Sequence, residues 1–103
     1  MYTDDDGNIP HFHVYDINKK LDTCIEISRN KYFLHGKHQG IITSSKIRKM
    51  LYDFLRSRPK SFQRRSYDNN WQWIKEIWNS SDHRMKVPDD ITEPPDYTNI
   101  TLN

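Results

Sequence analysis

Apolar residues in this chain recur at every second position up to about residue 34, and afterwards at steps of three and four. A period of two belongs to a strand with one buried face. A period of 3.6 belongs to an amphipathic helix. The order is therefore strands first and helices second, which predicts a small α+β domain. Over residues 9–15, Phe12 and Val14 fall on one face, and His11, His13 and Tyr15 on the other. Over residues 21–28, Thr23, Ile25 and Ile27 oppose Cys24, Glu26 and Ser28. Lys31-Tyr32-Phe33-Leu34-His35 reads as a third short strand. Short connections between sequential strands predict a three-stranded antiparallel meander. Pro10 suits the first position of an edge strand, where no ladder donor is lost.

Past Gly40, Ile47, Met50, Leu51, Phe54 and Leu55 form one helical stripe. Thr43, Ser44 or Ser45 can cap its start, and Pro59 ends it. A second helix is expected over about 70–79, capped by Asp68, Asn69 or Asn70, with Trp71, Ile74, Ile77 and Trp78 as its stripe. Phe12, Val14, Ile25, Ile27 and Leu34 join both stripes in the expected core. The periodicity then stops. Residues 1–81 read as one domain, and residues 82–103, with Pro88, Pro94, Pro95 and five acids, as an extended acidic tail.

With 103 residues there is chain for one core only. A hydrophobic content of 34% predicts that this core is small, so a homodimer or a partner chain is an expected source of further burial. No apolar run approaches the about 20 residues of a membrane-spanning helix, and the first six residues carry no apolar signal region. The expected address is cytoplasmic. Cys24 is the only cysteine, which excludes a disulfide framework and predicts a packed thiol.

The net charge of +2 conceals an asymmetry. Between Arg29 and Arg65 stand eleven Lys and Arg against Asp53 alone, while acids gather at both ends. Lys46, Arg48, Lys49, Arg56, Arg58, Lys60, Arg64 and Arg65 lie on the first helix and the loop after it. They are the candidate contacts to a nucleic-acid backbone, with Phe62, Tyr67 and Trp73 as stacking candidates. No base-reading motif accompanies them. The opposing expectation is a solvated face that the acidic tail masks.

His11-Phe12-His13 carries the sharpest chemical signal. Two histidines at i and i+2 of a strand point the same way, about 7 Å apart. His35 and His38 form a second pair in a loop bracketed by Gly36 and Gly40. Were the sheet to bring the pairs together, His11, His13, His35 and His38 would offer four imidazoles to one cation, with Glu26 nearby. No cofactor is required by any other feature; a divalent metal such as zinc is the one this pattern allows. Without metal, His11, His13 and His38 are the candidate acid and base groups for phosphodiester chemistry, with Lys37 to stabilise developing charge. The pattern lacks the following Glu of a cupin motif, and Tyr15 stands where a histidine-triad hydrolase needs its third histidine. No Gly-x-Ser-x-Gly, phosphate-binding loop or His-Glu-x-x-His is present.

The opening run Met1-Tyr2-Thr3-Asp4-Asp5-Asp6-Gly7-Asn8-Ile9-Pro10-His11-Phe12-His13-Val14 resembles a family of small uncharacterised bacterial proteins. The family is marked by a Tyr-rich strand, an Asp-rich turn and Pro-Pro-His-Phe-His-Val. Ile9 replaces the first of those prolines here. The order of elements matches over about residues 1–79. The resemblance implies a bacterial or mobile-element origin, a compact α+β fold and a small partner protein in a toxin–antitoxin-like arrangement. A further strand precedes the Tyr-rich segment in the family, so it also implies a late start to this chain. No activity is established for the family, and only His11 and His13 belong to its motif.

Taken together, these features predict a non-enzymatic binding module for a partner protein or a nucleic-acid backbone. A small histidine-dependent ribonuclease or phosphodiesterase is the rival expectation. Neither prediction includes a membrane.

Overall fold

A computed structural model describes residues 9–60 and 67–102. Strand β1 (His11–Asp16) and strand β2 (Leu21–Glu26) pair antiparallel, with Phe12 opposite Ile25, His13 opposite Cys24 and Asp16 opposite Leu21. The connection is a 3₁₀ turn, Ile17–Lys19. Asp16 starts it by accepting from the backbone N–H of Asn18 at 3.0 Å. Lys20 closes it in the left-handed region, at φ +53°. Two helices follow, α1 (Ser45–Arg56) and α2 (Asn70–Ser80).

The three-stranded sheet is not formed: among the described residues the sheet has two strands. The segment expected as the third strand touches β2 through a single bridge, Ile25 with Tyr32. The Glu26 N–H donates to the Lys31 carbonyl and the Phe33 N–H to the Cys24 carbonyl, both at 2.9 Å. Pairing stops there because the chain turns sharply. The His38 N–H donates to the His35 carbonyl at 2.9 Å, with Gly36 at φ +55° in the first central position. That is the geometry of a two-residue hairpin turn, which a glycine at this position permits. Four residues cannot both climb a ladder and reverse.

Both faces of β2 are covered. Thr23, Ile25 and Ile27 lie in the core, and Cys24 and Glu26 are equally buried on the opposite face. Glu26 is tolerated there because Arg29 grips it with two bonds, Nε to Oε1 at 2.7 Å and Nη2 to Oε2 at 2.9 Å. The carboxylate is thereby committed to Arg29, away from the expected partnership with the histidines.

The helix starts follow the predicted cap chemistry. The Ser44 hydroxyl accepts from the Ile47 N–H, and the Asn69 side chain from the Gln72 N–H. The stripes are only half used. Leu55, Trp71 and Trp78 are buried, but Met50, Phe54 and Ile77 are exposed. Their places in the core are taken by Leu21, Tyr32, Ile42, Val87 and Tyr97. Residues 82–102 thus supply core side chains without forming a helix or strand. Thr101 bridges to Lys31, and the carbonyl of Ile27 accepts from both Trp71 Nε1 and the Tyr97 hydroxyl, each at 2.9 Å. No helix among the described residues is long and apolar enough to cross a membrane.

Candidate metal centre

Strand alternation sets the site. His11, His13 and Tyr15 of β1 share a face with Asp22, Cys24 and Glu26 of β2. The hairpin turn at Gly36 then lays His35 and His38 opposite each other, and Gly40 brings the turn against β2. The Gly40 N–H donates to the Asp22 carbonyl at 3.0 Å, and a Cβ at position 40 would stand 3.0 Å from that same oxygen. A glycine is therefore needed where the loop crosses Asp22.

The four predicted histidines converge. Ring centroids are 4.5 Å apart for His13 and His38, 5.2 Å for His35 and His38, and 5.3 Å for His11 and His35. The array continues from His11 to Trp78 at 5.1 Å and ends on His83, stacked flat against Trp78 at 3.6 Å. All five histidines of the chain lie in this one series of ring contacts.

Two donor groups separate within it. In the outer group His13, Asp22 and His38 place their ligand atoms within 4.8 Å of one another. His13 Nε2 and His38 Nδ1 both donate to Oδ1 of Asp22 at 2.5 Å. These two bonds, that from His38 foremost, hold the Asp22 carboxyl below its ordinary range. Tetrahedral zinc with ligands at about 2.05 Å needs its donors about 3.3 Å apart. The 2.5 Å contacts to Asp22 are shorter than that spacing, so such an ion would displace the two shared protons and move the carboxylate outward. The inner group is His11, Cys24 and His35, also within 4.8 Å. His11 Nδ1 donates to the Ile9 carbonyl at 2.7 Å, which leaves Nε2 as the basic nitrogen. Burial first, and then the positive potential of His35, His83 and His13, lowers the His11 pKa. Burial, reinforced by Asp22, raises that of Cys24.

Asp22 and Cys24 were not among the predicted site residues. Asp22 stands in a turn-flanked strand with no motif around it, and Cys24 reads as a packed thiol. Their signal was positional, since both share the alternation face of His13 once β1 and β2 are registered. Lys37 sits exposed at the tip of the hairpin turn, between the two histidines it was expected to assist.

The basic set is divided. Lys46, Lys49, Arg56, Arg58 and Lys60 are exposed. Arg48 is a structural residue, donating to the carbonyls of Ile42 at 2.6 Å and Thr98 at 3.1 Å. Lys49 pairs with Asp53, and Arg56 donates to the Tyr52 hydroxyl. Trp73 and Tyr67 are half-buried. Arg64, Arg65 and Phe62 lie outside the described residues. None of the ion pairs found among the described residues joins a tail acid to the basic helix. Compared with known proteins, the chain matches no family model, no curated protein and no solved structure.

Proposed function

We propose that this chain is a metal-binding protein that holds a divalent transition ion, zinc foremost, on His13, Asp22 and His38. The observation that carries this reading is the sharing of one carboxylate oxygen by two imidazole nitrogens, 2.5 Å away on each side. Two imidazoles and a carboxylate suit zinc by donor type. Three protein donors leave a fourth position, and the half-exposed side chain of His13 opens it to solvent. An ion held there would lower the pKa of a bound water towards about 7, so hydrolysis is the chemistry the site supports. The surplus of exposed Lys and Arg favours an anionic substrate, and a phosphodiester in particular. The Pro-His-Phe-His-Val run that resembles a bacterial family contributes His13 here.

Zinc titration of the chelator-treated protein by calorimetry tests the reading. His38→Ala is expected to weaken binding on the order of 100-fold, at least the penalty for losing an outer-shell partner. Unchanged affinity in both His38→Ala and His13→Ala would reject it. Cleavage of a short labelled RNA by the zinc-loaded protein, lost in His13→Ala, would extend it to catalysis.

A second reading keeps the binding module expected from charge. It is favoured by the exposure of Lys46, Lys49, Arg56, Arg58 and Lys60. Anisotropy of labelled RNA should then weaken steeply with salt, and Lys46→Glu with Lys49→Glu should reduce affinity equally for all sequences. A flat salt response would count against it.

A further inference from the structure

We infer that His11, Cys24 and His35 form a second metal site, which takes a thiolate-binding divalent ion such as zinc beside the first. Its donors are not shared with His13, Asp22 and His38, so the two sites stand or fall separately.

Four observations support it. The three donors come from β1, β2 and the hairpin turn, and their ligand atoms lie within 4.8 Å of one another. The His11 ring is already oriented, because Nδ1 donates to the Ile9 carbonyl. A carbonyl behind a ligating histidine fixes its tautomer and strengthens the opposite nitrogen as a donor. Aromatic rings pack close around the site, with the Phe33 ring 4.9 Å from His11 and 4.8 Å from His35, and Trp78 5.1 Å from His11. Burial of the sulfur strengthens the attraction between a cation and a thiolate. Finally, Cys24 is 2% exposed and faces two half-buried imidazoles. A thiol needed only for packing has no requirement for two nitrogen donors at ligand spacing. On binding, the Cys24 proton leaves to solvent and sulfur coordinates as the thiolate, so no oxidant or reductant is involved.

Cobalt(II) is the probe, because a thiolate ligand gives it a near-ultraviolet charge-transfer band that imidazole and carboxylate do not. The chelator-treated chain should bind two equivalents of cobalt and develop that band. Cys24→Ser should lose the band and one equivalent. His11→Gln, a change at a half-buried position, should do the same, with the fold of each apo variant checked by near-ultraviolet circular dichroism. His38→Ala should lose one equivalent and keep the band. Saturation of the native chain without a thiolate band would overturn the site, as would two equivalents retained by Cys24→Ser. A band that persists while His38→Ala leaves the stoichiometry unchanged would reject the outer site and uphold this one.

Discussion

Burial and hydrogen bonding set the chemistry of single groups in this chain. His11 is half-buried among other imidazoles, and its pKa is lowered from the ordinary 6.5. The unfolded chain takes up this proton at 6.5, whereas the folded chain resists it to lower pH. Stability should therefore fall as pH is lowered through 6.5. Asp22 acts in the same direction further down, since its depressed carboxyl stabilises the fold above 3.8 and loses that contribution as it protonates. Urea midpoints of the apo chain between pH 8 and pH 5 should fall, and His11→Gln should flatten the upper part of the curve. A midpoint independent of pH would refute this. Glu26 makes a different case, a buried carboxyl gripped by the Arg29 guanidinium. Arg29→Ala leaves that buried carboxyl without its two bonds and should cost about 1–3 kcal/mol, measurable as a drop in the urea midpoint at unchanged m-value. Both roles were only partly legible in the sequence. The histidine pairs announced themselves by spacing, but which carboxylate would meet them depended on the strand register. Asp22 took the place expected of Glu26.

At the scale of elements, turns decide more than strands do. Lys20 occupies a left-handed conformation that costs a non-glycine residue about 1 kcal/mol. Lys20→Gly should raise stability by about 0.5 kcal/mol, after the added freedom of the unfolded chain is counted. Gly40 allows the opposite forecast. A Cβ there meets the Asp22 carbonyl at 3.0 Å, so Gly40→Ala should push the loop off β2 and move His38 from Asp22. Zinc affinity should fall with a smaller loss of stability, and proportional losses in both would show that the glycine serves the fold alone. The helices were legible from their stripes and caps because both signals are local. The expected third strand fails for a related reason. Alternation over Lys31–His35 says what the side chains prefer, whereas the tight turn at Gly36 withdraws the backbone from the ladder after Phe33.

The whole molecule closes through residues that lie far apart in the chain. Tyr97 is fully buried, and its hydroxyl donates to the carbonyls of Glu26 at 2.7 Å and Ile27 at 2.9 Å. Trp71 meets that same Ile27 carbonyl from α2. The end of β2, the second helix and the C-terminal segment are thus tied at one point. Burial drives the Tyr97 phenol far above its ordinary pKa, so it remains a donor throughout the working range. Tyr97→Phe keeps the ring and removes that donor, and should lower stability by about 1–2 kcal/mol by chemical denaturation. A neutral result would mean that Trp71 satisfies Ile27 alone.

The sequence by itself determined the order of strands and helices, the ends of both helices, the smallness of the core and the four histidines worth watching. These follow from periodicity, capping and composition, which act over a few neighbouring residues. The tertiary structure alone decided that β2 is buried on both faces and that Met50 and Phe54 stay outside the core. It also decided that Asp22 and Cys24, rather than Glu26, complete the histidine groups. Those outcomes depend on which surfaces meet, and contact between segments up to 71 residues apart leaves no periodic trace in the chain that makes them.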